Sequence, residues 1–486
     1  MLRLAAQQED SGRLEEAAAT CERVLALEPK RANTWFNLAR LQRLLGRFDA
    51  ALASYQQALA LGISQPEEVH LNRGVIFSDG LRRPDDAERE LSTALRLRPD
   101  YVPALLNLAS LYEDRGQRPQ ALAAYERLLA VAPDAYEGLA RYASLRGVAS
   151  PADPLITRLR GVLDSPSVAA ANKASIAFAL GKLLDGCGAY DDAFAAYLSA
   201  NRHSRASLGR QAPYDPIGHQ KLIDDLIAAF DGKTVGSAER PDETSPPLFI
   251  CGMFRSGSTL AEQVLAGHTQ VRAGGEISFF PRLVTTQLAP YPATVAVLRP
   301  EQRAGIAQRY RDTLAAVAQG APHVTDKRPD NYLHIGLIKT LFPNARFIHT
   351  TRNPLDNALS IFFLHLDPGM GYALDLAHIA HHYREYRRLM AHWKSLYADD
   401  ILDFDYDLFV RDPRPAVQRL LQFCGLPWEE GCMAFDRVNN AVRTASAWQV
   451  RQPLYNGSSG RWKHYSRHLQ DLRAALGDAL PHDDCA

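Results

Sequence analysis

The chain has 486 residues, with Lys+Arg and Asp+Glu balanced at 55 each, 46% hydrophobic residues and six cysteines. That length supports roughly two to four domains with ample apolar chain for a core. The zero formal charge excludes a compositional nucleic-acid binder and leaves only local basic pockets.

No apolar run approaches the ~18 residues of a membrane span. The opening MLRLAAQQEDSGRLEEAAA has no continuous apolar core of the secretory kind, so a cytoplasmic address is expected. Cys21, Cys187, Cys251, Cys424, Cys432 and Cys485 form no CxxC and no short paired spacing, which predicts reduced, mostly buried thiols and no zinc site.

From the N-terminus, one pattern recurs. Ala17, Ala51, Ala87 and Ala121 are spaced 34, 36 and 34 residues apart. Each is followed at four and seven residues by an aromatic or other apolar residue and then a small or apolar one: Cys21 and Val24, Tyr55 and Ala58, Leu91 and Ala94, Tyr125 and Leu128. Those offsets fall on one helical face, and Trp35, Leu38 and Ala39 or Leu105, Leu108, Ala109 and Tyr112 supply the preceding helix of a pair. A further copy, Gly188, Ala193, Tyr197 and Ala200, follows a degenerate stretch around VASPADP. No single pair can bury its apolar face alone, so the predicted structure is a stacked all-α solenoid over residues 1–202, with a groove that serves either self-association or peptide recognition. Residues 203–246 mix one helical stretch, HQKLIDDLIAAF, with Pro, Gly, Ser and charges and read as a connector.

From residue 247 the period changes. PLFICGM, HVTDK, RFIHTTR and ILDFDY are strand-like, and each is followed by an amphipathic helical stretch. This alternation predicts an α/β domain over 247–486 with a mainly parallel sheet, helices on both faces and ligands at the carboxyl ends of the strands. The first strand runs into Phe254, Arg255, Ser256, Gly257 and Ser258, with a helix starting near Thr259. Backbone N–H groups at a helix start, hydroxyls and a guanidinium form a cradle for a phosphate or phosphosulfate. The nucleoside-triphosphate loop GxxxxGK[ST] differs, because no lysine follows this glycine. Another strand delivers Arg352 at its end and a helix bearing Ser360, a second grip for a phosphate group.

Together these elements resemble the P-loop-like sulfotransferases, closest to the protein-tyrosine sulfotransferase branch and to bacterial proteins that join tetratricopeptide repeats to such a domain; the first half resembles tetratricopeptide repeats. The resemblance implies 3′-phosphoadenosine 5′-phosphosulfate (PAPS) as co-substrate, held by Arg255, Ser256, Gly257, Ser258, Thr259, Arg352, Ser360, Tyr406 and Arg461. FRSGSTLAEQVLAGHTQVRAGGEISFFPRL resembles the branch's loop followed by a Gly-Glu pair, which puts Glu276 at the catalytic base. HVTDKRPDNY puts Lys327 at the sulfonate-stabilising lysine, and TASAWQVRQPLYNGSSGRWKHY puts Ser446 at a serine contacting the sulfonate region. Departures are Phe254 for the loop proline, Ser258 for a threonine, Leu364 where the tyrosyl branch has another phosphate-binding arginine, and Arg461 for a lysine.

The chemistry asks for the same groups. In-line transfer between two oxygens spreads charge over equatorial oxygens, which Arg255 and Lys327 answer, and the acceptor hydroxyl needs a carboxylate to take its proton. No metal is required. His268, His323, His349 and His365 are rival bases without metal-ligand spacing, and Trp448, Trp462 and Tyr465 line the site or pack a core. The expected function is PAPS-dependent sulfonate transfer to an acceptor hydroxyl of a peptide tyrosine, glycan, lipid or metabolite. The alternatives are a P-loop small-molecule kinase, or an inactive transferase whose repeats act as a protein-binding scaffold.

Overall fold

The computed structural model describes residues 1–209, 214–232, 246–366, 370–438 and 456–481. It divides into two compact units, Met1–Gly188 and Ala189–Ala486.

The first unit is built of helix pairs, among them Leu2–Asp10 with Leu14–Leu27, Ala32–Leu44 with Phe48–Ala60, Pro66–Val75 with Pro84–Leu97, and Val102–Asp114 with Arg118–Val131. Ala17, Ala51, Ala87 and Ala121 are all fully buried, because a methyl group is what lets neighbouring helices approach at these positions. Tyr55 and Tyr125, four residues on, are equally buried and fill the space beside them. The longer 36-residue interval contains a wide turn of π-helix, Ile76–Gly80, which accommodates extra chain without breaking the stack.

The second unit holds a five-stranded sheet in which every recorded pairing is parallel: β1 Leu248–Gly252, β2 Val271–Ala273, β3 His323–Lys327, β4 Arg346–Thr351 and β5 Ile401–Asp405, in the order β2-β3-β1-β4-β5. After β1 the chain runs to one side of the sheet, and β4 begins the other side, so the topological switch lies at β1. Side chains alternate along β1. Leu248 and Ile250 pack with Leu260, Val264, Ile348, Val417 and Leu421 on one face. Phe249 on the other face stacks with Tyr310 and Phe347 at 5.7 and 5.3 Å between ring centres. Helices thus cover both faces, as the alternation predicts.

Two boundaries differ from the sequence reading. The helix Tyr190–Ser207, which carries the last copy of the repeat pattern, belongs to the second unit, so the division falls at Gly188/Ala189 and not at 202. Its small-residue pattern satisfies close packing equally well against a different neighbour. The helix of the expected connector, Pro216–Ala229, packs on Leu376–Leu396 within the same unit, where Arg388 Nη1 donates to Asp224 at 2.6 Å and Phe230 meets Trp393 at 5.7 Å. Among the described residues Cys21, Cys251, Cys424 and Cys432 are buried, Cys187 is half-buried, and none is bonded to another. No described helix is long and apolar enough to cross a membrane.

Candidate active site

The backbone of the loop after β1 is tightly constrained. Gly252 has φ +152°, and a Cβ there would lie 2.4 Å from the carbonyl oxygen of Thr350. Gly257 has φ +102°, and a Cβ would meet Tyr406 at 2.9 Å. Arg255 itself sits at φ +67°, a conformation uncommon outside glycine and concentrated at functional sites. The loop is tied down from β4 and the helix after it. Ser256 Oγ lies 2.6 Å from Thr350 Oγ1 and donates to the Met253 carbonyl at 2.5 Å. Asn357 Nδ2 donates to the Phe254 carbonyl at 2.9 Å, and Arg352 Nη1 donates to the Arg255 carbonyl at 3.3 Å.

These bonds set which groups face a ligand. The N–H and the hydroxyl of Ser256 both go to Met253, so this serine also locks the turn. The helix Ser258–Ala266 starts directly after Gly257, and its first-turn N–H groups are the ones an α-helix cannot satisfy from within. With the hydroxyls of Ser258 and Thr259 they are the kind of donors an anion needs at a helix start.

Two guanidinium groups border it. Arg255 Nε donates to Ser360 Oγ at 3.1 Å, which joins the first phosphate motif to the second. Burial, followed by the charge of Arg352, pulls the Arg255 pKa down to about 10: two cations have been brought together where an anion would relieve their repulsion. Arg352 lies over the Tyr406 ring at 4.8 Å, and its Nε is buried with no partner among the described residues. A buried guanidinium N–H left without an acceptor suits a phosphate oxygen, so the residues present fit a phosphorylated ligand.

Lys327 ends β3 in register with Ile250 of β1. Its side chain is 1% exposed and Nζ donates to Glu276 Oε1 at 2.7 Å, whereas Glu276 is 39% exposed. The loop bearing Glu276 is held by Glu262, a residue that no motif singles out. Buried on the helix Ser258–Ala266, Glu262 Oε1 accepts from Gly275 N and Thr325 Oγ1, both at 3.0 Å. Burial raises the Glu262 pKa against the opposing pull of Lys327.

Arg461 opens the 3₁₀ helix Arg461–His468, and its guanidinium lies 5.3 Å over the Phe363 ring. Asp356, 2% exposed, fixes that helix by accepting from Gly460 N at 2.5 Å and Trp462 N at 2.8 Å. Ser360 and Asp356 share the helix Pro354–Phe362, so Ser360, Arg352 and Arg461 form one connected arm. Leu364, where a further arginine is absent, is half-buried just beyond it. Ser446 and Trp448 lie outside the described residues.

Of the four rival histidines, His365 is exposed just beyond the Ser360 helix, and the other three are held away from it. His268 is buried with Nε2 3.0 Å from the Pro427 carbonyl, His323 opens β3 at the amino edge of the sheet, and His349 is buried in β4 between Asp403 and Tyr386. Trp462 and Tyr465 are buried core residues.

Residues 246–430 match the sulfotransferase family, and residues 9–62 and 80–147 match the tetratricopeptide repeat. An "Uncharacterized protein" of Aquifex aeolicus (strain VF5) is 31% identical over 396 residues, 79% of this chain and 51% of that protein. Protein-tyrosine sulfotransferase A of Caenorhabditis elegans is 24% identical over 256 residues, 47% of this chain and 64% of its own. The chain therefore spans half to under two thirds of the length of these curated relatives. Among solved structures, the sulfotransferase domain of the Synechococcus PCC 7002 olefin synthase is 23% identical, covering 47% of this chain and 91% of that one, with a TM-score of 0.35.

Proposed function

We propose that this chain, which joins tetratricopeptide repeats to a sulfotransferase-family domain, transfers a sulfonate group from PAPS to an acceptor hydroxyl. One observation carries the reading. Three neighbouring parallel strands, β3, β1 and β4, deliver Lys327, the Arg255 loop and Arg352 to the same carboxyl edge of the sheet, where α/β folds bind their ligands.

PAPS supplies an electrophilic sulfur attached to a phosphate leaving group. The first-turn N–H groups at Ser258 and Thr259, with Gly257 and Arg255, hold the phosphosulfate end. Arg352 and Ser360 hold the 3′-phosphate, with Tyr406 and Arg461 on the nucleotide. Arg352 presents a fork suited to two parallel bonds to one phosphate, and Arg255 and Lys327 balance the charge that grows on the transferring oxygens. Glu276 takes the acceptor proton: Lys327 occupies Oε1 and holds the carboxylate in place, while its exposure leaves it within reach of an acceptor hydroxyl. Ser446 contributes a hydroxyl to the sulfonate region.

A tyrosine-bearing peptide is the first acceptor to test, because the repeats offer an extended surface for a protein partner and several matched relatives are named protein-tyrosine sulfotransferases. The test is transfer of radiolabelled sulfonate from PAPS into cell lysate by the full chain, followed by identification of the labelled molecule. Label that appears with the wild type and disappears with Arg352→Ala supports the reading. A chain that binds magnesium-ATP and neither binds nor consumes PAPS refutes it.

A further inference from the structure

The helix Tyr190–Ser207 carries the repeat pattern, yet its buried side chains Phe194, Tyr197 and Asn201 meet the elements that bear Ser360 and Arg461 or the residue next to them, while Arg205 at its far end bonds Asp375 at 3.2 Å. Asn201, 2% exposed, donates from Nδ2 to the Phe362 carbonyl at 2.8 Å, at the last residue of the helix Pro354–Phe362. Tyr197, equally buried, stacks on Phe363 with ring centres 3.9 Å apart and planes 11° from parallel. Phe363 is also the ring under the Arg461 guanidinium. On the turn before, Phe194 stacks on His468 at 4.5 Å and Tyr190 on His464 at 4.4 Å, both on the 3₁₀ helix that Arg461 opens. Asp191 pairs with His468 at 2.7 Å.

Two segments more than ninety residues apart in the chain, 354–363 and 461–468, therefore meet on one helix. Asp356 bonds them to each other at one end of the arm, and the helix Tyr190–Ser207 clamps them at the other. We infer that Tyr197 and Asn201 are positioning residues for nucleotide binding, because they fix Phe363 and the end of the Ser360 helix and so set the spacing between Ser360 and Arg461. The inference rests on the PAPS reading of the site. It adds to that reading a helix that no nucleotide motif contains, and it explains why this copy of the repeat pattern leaves the first unit.

The geometry makes the effect specific. A stack on the ring beneath a guanidinium and one buried hydrogen bond to a helix end orient groups that bind ligand without touching the transferring sulfonate. Loss of either should weaken ground-state affinity and spare the chemical step, so the donor KM rises while kcat at saturating PAPS holds.

The experiment is calorimetric titration of adenosine 3′,5′-bisphosphate into the full chain. Tyr197→Ala and Asn201→Ala should each raise Kd about fivefold to tenfold. Tyr197→Phe, which keeps the stack, should restore the affinity, and Leu198→Ala on the exposed side of the same helix should match the wild type. A second measurement needs no variant: saturating bisphosphate should slow amide hydrogen exchange in residues 190–207 together with 354–363. Wild-type binding that Tyr197→Ala and Asn201→Ala leave unchanged overturns the inference alone, as does exchange in 190–207 that ignores the ligand. A wild-type chain that does not bind the bisphosphate overturns the nucleotide reading and this inference with it.

Discussion

Replacing Glu276 by Gln removes the proposed base while keeping the size of the side chain. It also takes the counter-charge from Lys327, whose side chain is 1% exposed and whose Nζ lies 2.7 Å from Glu276 Oε1. Stranding a fully buried ammonium costs about 3–5 kcal/mol, but two features reduce the penalty here. Glu276 is 39% exposed, so part of the pair is already screened by water, and the buried Glu262 carboxylate still feels Lys327. The expected loss of stability is therefore about 1–2 kcal/mol, a few degrees in Tm. The rate effect should be far larger, about 10² to 10⁴ in the chemical step. Rapid-quench single turnover with saturating PAPS and a tyrosine peptide measures it directly, and bisphosphate calorimetry on the same preparation should give Kd within about twofold of wild type. A Glu276→Gln chain that is folded, binds the bisphosphate and transfers within about threefold of the wild-type rate would refute the assignment.

Gly257→Ala forces a Cβ to 2.9 Å from the Tyr406 ring at φ +102°. It should cost about 1–3 kcal/mol and weaken bisphosphate binding, whereas Gly46→Ala, at φ +74° with nothing within 4 Å, should cost stability alone. Identical affinity in the two variants would contradict the cradle. Asp326 is fully buried, accepting from Tyr310 Oη at 2.9 Å and Asn331 Nδ2 at 3.2 Å, and burial raises its pKa to about 7. Between about pH 4 and pH 7 the folded chain keeps a proton that the unfolded chain has released, so this residue makes stability fall as pH rises through that window. At about 1.4 kcal/mol per unit of displacement the change amounts to a few kcal/mol, and Asp326→Asn should flatten it. Urea midpoints with the same pH dependence in both chains would exclude Asp326 as the source.

The repeat array and the α/β domain were legible because each depends on a local period: a methyl group every 34 to 36 residues in one half, strands alternating with helices in the other. Arg255 and Arg352 were singled out because they follow strand-like runs, and Glu276 and Lys327 through the family resemblance alone. The residues that hold them were not. Asn357 reaches the Phe254 carbonyl across 103 residues and Asp356 reaches Gly460 across 104, and a buried hydrogen bond between distant segments leaves no spacing to read. Glu262 looks like an ordinary surface residue of an amphipathic helix until burial shows that its carboxylate supports the Glu276 loop. Ser256 carries a structural role that its motif position does not announce, its hydroxyl bonding Met253 and Thr350. The boundary at 202 was read from a small-residue pattern, which specifies close helix contact and not which neighbour makes it.

The placement of Tyr190–Ser207 also bears on how such a chain could be assembled in evolution. A recombination joint cut where the repeat signature stops would strip the cover from Phe362, Phe363 and Tyr465, leaving a greasy, sticky surface on the excised piece. A joint at or upstream of Ala189 keeps that cover on the transplanted segment, which then carries a piece that reads as a repeat.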